Sequence, residues 1–475
     1  MKLSKFIKPL KFKALLFNLC NLLKLLSIIL LVPIAVSLIT SEFNYTLILA
    51  IICTASYLIG YFGKFIYEDD LSRKDALIVT ALAYLLFSIV TAFAFLPVTN
   101  YLNGFFESIS GFTTTGLSVL NPDKLPDTLL FLRAYSQWIG GAGIIILTLV
   151  LLSGPGTSAL KLYSSEFGKE NLVGNVKNTG IIVLKIYSIL TVAGFILYII
   201  SGVNFFDAIL LVLSTISTGG FAPHSSSIKH YNFSLVHIFI IIFMIFGATS
   251  FSSFYNITKK GIKGFFENLQ FKMLLGIILI FSFLFFASYN FNSEKILSSI
   301  FQSVSAGTTT GFSVEKTSGI PIQTKLMTIF LMVIGGTSAS TAGGIKIIRF
   351  LLVIFLLRWM VLKLFLPDEA KVPVKIKDIT FSDNDIKKIF GFISIYMLLI
   401  FLSSLIFVFY KYGVINSVFE CTSALGTVGL STGITSPEMP GILKVVLIIN
   451  MWAGRLEIFP VLALFYPRIW IPERS

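Results

Sequence analysis

The chain has 475 residues, 55% of them hydrophobic and only 13% charged, with a formal net charge of +14 and a mean hydropathy of +0.89. Soluble proteins carry about 25% charged residues, so a water-soluble globular fold is excluded. The cations sit between hydrophobic spans with no basic–aromatic repeat or nucleic-acid module, so the charge reads as the positive-inside bias of a membrane protein and not as a nucleic-acid surface.

Lys2, Lys5, Lys8, Lys11 and Lys13 precede an apolar run that reaches about Thr40. A secretory signal core spans only about 7–15 residues, so this run reads as a retained first transmembrane helix over about residues 16–40, with Pro33 as a possible kink. A second helix over about 45–64 returns. Later runs such as Ala76–Leu96 and Ile181–Ile200 are also long enough for a crossing, which takes about 20 residues. Three connectors hold most interior cations: one with Lys161, Lys169 and Lys177, one with Lys259, Lys260, Lys263 and Lys272, and one with Arg358, Lys363, Lys371, Lys375, Lys377, Lys387 and Lys388. Connectors near Asn121, Ser225 and Pro437 carry far fewer and are placed outside. Arg468 and Arg474 then end the chain inside. The expected layout is an all-α membrane protein of about ten crossings with both termini in the cytoplasm.

Four segments between paired helices are too short to cross: Tyr101–Gly111, Phe205–Thr215, Glu294–Gly307 and Ile415–Leu425. They read as re-entrant pieces. Each leads into a Gly/Thr/Ser stretch whose backbone cannot face lipid, because its polar groups would lack partners. These stretches are GFTTTGLSV (111–119), TISTGGFAP (215–223), GTTTGFSV (307–314) and LGTVGLST (425–432). Aligned on Gly116, Gly220, Gly311 and Gly429, Thr114, Thr218, Thr309 and Thr427 stand two residues before. Ser110, Ser214, Ser305 and Ser423 stand six before, and Leu117, Phe221, Phe312 and Leu430 one after. An internal repeat of this kind outweighs tight helix packing on small residues as the reading of the glycines.

The residue types suit a dehydrated cation. Rings of backbone carbonyls replace a hydration shell, glycine turns them inward without a Cβ penalty, and threonine hydroxyls add oxygens at the inner edge. The C-terminal partial charge of each short helix favours a cation. Expected filter residues are Thr114, Thr115 and Gly116; Thr218, Gly219 and Gly220; Thr309, Thr310 and Gly311; and Thr427, Val428 and Gly429, with K⁺ bound at these positions only. In the second loop either Gly219 or Gly220 could be the aligned glycine. Thr427-Val428-Gly429-Leu430 lacks the second glycine of a TVGYG filter, so weaker rejection of sodium is expected. The domain reading is residues 1–68 as a two-helix extension, then pore repeats at 69–160, 161–260, 261–366 and 367–475.

Residues from about Gln323 to Lys363 are twice the length of one crossing and contain Gly335, Gly336, Thr337, Ser338, Ala339, Ser340, Thr341, Ala342, Gly343 and Gly344, a poor helix interior. Two half-helices joined by a flexible loop beneath the third filter are expected. Arg455, inside the last span, faces the bundle interior. It either meets loop carbonyls or hydroxyls as a positive barrier or pairs with Glu457. Glu107 and Glu420 stand nine residues before their glycines, with Gln302 and Leu211 in the other repeats, which suggests polar bracing behind the filter.

Cys20, Cys53 and Cys421 are odd in number and widely spaced, and His224, His230 and His237 have no Cys or carboxylate cluster in sequence, so disulfides, metal centres and catalytic histidines are not expected. No HExxH, GxSxG or nucleotide fingerprint occurs, and no enzyme or bound cofactor is expected.

Together with QWIGGAGIIIL (137–147), IGGTSASTAGGIKIIR (334–349) and AGRLEIFP (453–460), the four loops make the chain resemble the TrkH/TrkG/KtrB-type potassium transporters, on the TrkH side. The resemblance implies an intramembrane gating loop at 335–344, a homodimer, a cytosolic TrkA-type nucleotide-binding regulatory subunit, and a home in the inner membrane. The function expected is gated, channel-like potassium uptake driven by membrane potential. The alternative is obligatory K⁺/H⁺ or K⁺/Na⁺ symport, for which Glu107, Glu420 and Arg455 are the obvious groups.

Overall fold

The computed structural model describes residues 10–66, 73–143, 176–231, 235–366, 374–376, 379–466 and 470. The expected end of the first repeat (144–160) and Lys2, Lys5, Lys8, Lys161, Lys169, Lys371, Lys377, Arg468 and Arg474 lie outside the described residues.

Apolar runs with few charges become long helices. Six described helices are long and apolar enough to cross a bilayer. They are α1 (Phe12–Ile39), α2 (Phe43–Phe62, with the turn to Ile66), α3 (Arg73–Thr91, with the turn to Phe95), α6 (Val176–Ile200), α10 (Leu269–Ser288) and α14 (Asp383–Phe409). A seventh candidate is a pair, α8 (Leu235–Gly247) and α9 (Phe251–Lys260), bent by 91° at its break. The shorter α5 (Asp127–Ala142), α12 (Ile322–Ile334) and α16 (Gly441–Arg455) take the places of the remaining expected crossings. A hairpin of β1 (Val374–Ile376) and β2 (Ile379–Phe381) is the one sheet among the described residues.

The re-entrant segments are α4 (Tyr101–Phe112), α7 (Phe205–Ile216), α11 (Ile296–Gly307) and α15 (Val414–Leu425), each of 12 residues. That length is about 18 Å, little more than half of a hydrocarbon core. Asn caps start two of them: Asn100 accepts from the amide of Asn103 at 3.0 Å and Asn204 from that of Asp207 at 2.7 Å.

Packing closes these units in chain order. The helix after each loop lies on the short helix of the next repeat: α5 on α7, α8 on α11, α12 on α15, and α16 back on α4. Outside this ring α1 and α2 pack on each other, with α1 also touching α3 and α5. The Glu42 carboxylate caps α5, accepting from Asp127 N at 3.0 Å and Thr128 N at 2.9 Å.

The third repeat breaks as glycine content demands. Helix α12 stops at Ile334, Gly335 has φ +70°, and α13 (Ile347–Lys363) restarts the chain. The intervening loop is held by backbone hydrogen bonds. It folds back on α12 through Ile345 N to Val333 O (2.9 Å) and Lys346 N to Ile334 O (3.0 Å). It also reaches the α8–α9 bend through Thr337 N to Ala248 O (3.1 Å).

Candidate functional site

All four repeats leave their short helix by the same backbone path. The amide one residue before the glycine bonds the carbonyl of the serine six before: Thr115 to Ser110 at 2.9 Å, Gly219 to Ser214 at 2.8 Å, Thr310 to Ser305 at 3.0 Å and Val428 to Ser423 at 2.8 Å. The chain then takes φ of +54°, +51°, +55° and +49° at Thr114, Thr218, Thr309 and Thr427, and +85°, +77°, +83° and +93° at Gly116, Gly220, Gly311 and Gly429. Gly220, and not Gly219, is therefore the conformational equivalent in the second loop.

The loops meet around one axis. A Cβ on Gly116 would lie 2.1 Å from the carbonyl of Gly219, one on Gly220 1.9 Å from that of Thr310, one on Gly311 1.8 Å from that of Val428, and one on Gly429 2.2 Å from that of Thr115. Each glycine thus abuts the carbonyl of the next loop, and the fourth abuts the first. All four glycines line a single cavity of about 680 Å³. The ring is not uniform: Gln137 of α5 donates to the Gly219 carbonyl at 2.6 Å and accepts from Phe221 N at 3.1 Å.

The strands leaving the ring are held by carboxylates in two ways. In the first and fourth repeats a glutamate on the short helix does it. Glu107 accepts from Ser118 Oγ (2.8 Å), Val119 N (2.7 Å) and Leu120 N (3.2 Å), and pairs with Arg133 Nε at 2.9 Å. Glu420 accepts from Ser431 Oγ (2.7 Å), Thr432 N (2.7 Å), Thr432 Oγ1 (3.0 Å) and Thr435 Oγ1 (2.8 Å). In the second and third repeats, which have Leu211 and Gln302 at that place, the residue four after the glycine reaches back. His224 Nε2 lies 3.0 Å from Asp207 Oδ2, and Glu315 bonds Ser298 Oγ and pairs with Lys295 at 2.7 Å. No carboxylate lies near His224 along the chain, yet Asp207 and Asp123 converge on it from two repeats. Hydrogen bonds from the Ser225 hydroxyl and amide hold Asp123 below the usual carboxylate range. Among the described residues no group of three His, Cys, Asp or Glu could hold a metal ion.

On the opposite side the four threonines meet a plug. Arg455 Nη1 donates to Thr114 Oγ1 at 3.2 Å and to Thr341 O at 2.8 Å, while Nη2 donates to Gly140 O at 2.5 Å. Thr218 Oγ1 and Thr341 Oγ1 lie 3.1 Å apart, and Gly343 N donates to Thr309 Oγ1 at 2.8 Å. Among the described residues Thr427 Oγ1 is buried without a hydrogen-bond partner, and a Cβ on Gly343 would lie 2.2 Å from it. The loop 335–344 and Arg455 thus fill the space against the ring. Glu457 pairs with Arg349 of α13 and not with Arg455.

Three residues at this site carry no mark in the repeat itself. Arg133, buried in α5 with its guanidinium 4.1 Å from the Phe221 ring centroid, had a signal available as a charge inside an apolar helix. Gln137 lies within a motif but its partner is 82 residues away, and Lys295 meets Glu315 only through the fold.

Comparison with known proteins follows the same outline. The family model described as TrkH, cation transport protein, matches residues 71–471. An uncharacterized cation transporter of Methanocaldococcus jannaschii is 34% identical over 83% of this chain and 83% of its own. The Trk system potassium uptake protein TrkH of Halomonas elongata is 30% identical over 85% of this chain and 87% of its own. In fold, the crystal structure of the potassium transporter TrkH from Vibrio parahaemolyticus superposes with a TM-score of 0.86 at 24% identity, covering 97% of this chain and 100% of that one.

Proposed function

This chain belongs to the TrkH family of cation transport proteins, and from that premise we propose that it takes up potassium across the cytoplasmic membrane through the ring of loops, driven by membrane potential. Thr114, Thr115, Gly116, Thr218, Gly219, Gly220, Thr309, Thr310, Gly311, Thr427, Val428 and Gly429 form the filter. The observation that carries this is the closed contact of four glycines with four neighbouring carbonyls around one cavity. Oxygens held at fixed spacing by such a ring compensate a cation for its lost water. The Gln137 amide engages one of these oxygens, the Gly219 carbonyl, which fits modest rejection of sodium.

The loop 335–344 and Arg455 are the gate, held closed in this arrangement. A guanidinium under the ring is a positive barrier as well as a plug, and it anchors three carbonyl or hydroxyl oxygens at once. The pore repeats divide at 69–160, 161–260, 261–366 and 367–475, following the extension at 1–68, and both termini face the cytoplasm. The functional unit is a homodimer regulated by a cytosolic TrkA-type subunit, and this chain binds no cofactor of its own.

The test is Rb⁺ and Na⁺ flux into proteoliposomes holding the full chain. Wild type is expected to carry Rb⁺ in competition with K⁺, and Arg455→Ala to raise basal flux at least about fivefold, the scale of removing one intramembrane charge barrier. A folded Arg455→Ala protein with wild-type flux would sink the gate, and absence of K⁺-competed flux in both wild type and folded Arg455→Ala would sink the transport reading.

A further inference from the structure

Every repeat holds its exit strand with one carboxylate: Glu107, Asp207, Glu315 and Glu420. Three have a basic side chain at ion-pair distance, Arg133 at 2.9 Å, His224 at 3.0 Å and Lys295 at 2.7 Å. Glu420 is fully buried, and among the described residues no Lys, Arg or His nitrogen lies within that distance of it. Its two oxygens take four bonds, one from the Thr432 amide and three from hydroxyls. An ionised carboxylate is acceptor-only with about four lone-pair sites; three of these donors converge on Oε1 and the fourth, Thr435, reaches Oε2.

Donors of this kind hold a charge without cancelling it. At Glu107 the guanidinium neutralises the carboxylate; at Glu420 the negative field is left to act on whatever cation is near. The place for one is the cavity at the ring, since Ser431 and Thr435, both bonded to Glu420, line it together with the four glycines. Resting on the transport reading above, we propose that Glu420 sets the affinity of the filter for its ion, with the permeating cation as the missing counter-charge. The effect acts through the field and not by ligation, so it is blind to ion size: K⁺ and Rb⁺ occupancy depend on it by the same factor. The vestibule is therefore electrically lopsided although its backbone is nearly four-fold.

Two variants of the full chain in proteoliposomes, with one control, test this. Glu420→Gln keeps the shape and removes the charge. Thr435→Lys, at the edge of the cavity, gives up the Thr435 hydroxyl bond to Glu420 but keeps the carboxylate and supplies the base that the other three repeats already have. The control, Thr435→Val, gives up the same bond without adding charge and is expected to keep wild-type half-saturation. Glu420→Gln and Thr435→Lys are each expected to raise the half-saturating concentrations of K⁺ and Rb⁺ about tenfold, the order of effect of a unit charge about 10 Å away at an effective dielectric near 20, with their ratio unchanged. If Glu420→Gln does not fold, Thr435→Lys against Thr435→Val decides: equal half-saturation in the two overturns the inference. Wild-type half-saturation in folded Glu420→Gln and Thr435→Lys overturns the inference while transport stands. A shifted K⁺/Rb⁺ ratio at unchanged half-saturation also overturns it, because the role is then shaping the filter. A wild type without K⁺ flux overturns both readings.

Discussion

Glycine and threonine at the ring answer to the same constraint from opposite sides. The glycines sit at φ between +77° and +93°, where a Cβ is strained, and each would also press that Cβ into a neighbour's carbonyl. The threonines two residues earlier hold a left-handed turn that a β-branched side chain normally avoids, and the interlocked loops over-determine it. This shared backbone path is why the repeat was legible from residues alone. The choice between Gly219 and Gly220 was not legible, because both letters permit the turn and only the φ of +77° at Gly220 decides it. Gly311→Ser is the sharpest test at this scale. Its Cβ would stand 1.8 Å from Val428 O, so the fourth loop must shift and its oxygen leave the ring. The Rb⁺/Na⁺ flux ratio is expected to fall toward unity, measured with Rb⁺ and Na⁺ tracers on protein that still elutes as wild type. A ratio held at its wild-type value would show that ring geometry does not select the ion.

Elements were easier to foresee than their partners. The four short helices appear within a few residues of their expected bounds, because a run too short to cross and followed by polar backbone has few other solutions. Their bracing needed the fold: a −9 glutamate serves two repeats, and a residue four after the glycine serves the others. The break at Gly335 was visible in composition, but the hydrogen bonds that pin the loop to α12 and to Ala248 join distant segments. The cap on α5 belongs to the same class of hidden contact. Glu42 lies 85 residues before Asp127 and satisfies two amides at the helix start. Glu42→Ala is expected to destabilise the protein by about 1 kcal/mol, read as a lower melting temperature in detergent. Flux should hold near wild type, since the cap lies outside the ring. Loss of flux without loss of stability would mean that the extension takes part in conduction.

At the scale of the whole molecule, the loop 335–344 proposed as the gate is tied to two repeats at once. Arg455 ends α16 and reaches the loop of the third repeat through Thr341 O. Two residues on, Glu457 sits at φ +55° in the break before α17 (Phe459–Leu464) and pairs with Arg349 at the start of α13. That guanidinium also lies 4.3 Å from the ring centroid of Phe392 on α14. The loop, the α16 break and the first helix of the fourth repeat are therefore one connected piece, and a displacement of α13 or α14 reaches the loop 335–344 without any contact to the glycine ring. The Arg349–Glu457 pair is partly exposed, so its share of the latch is modest, about 0.5–1 kcal/mol, which corresponds to a two- to fivefold change in the closed population. Glu457→Gln should raise basal Rb⁺ flux by about that factor, and the exchanged pair Arg349→Glu/Glu457→Arg should bring it back. If the exchange fails to restore the closed level while the single variant leaks, the leak comes from the strained turn at Glu457 and not from the ion pair, and the mechanical link between repeats has to run through Arg455 alone.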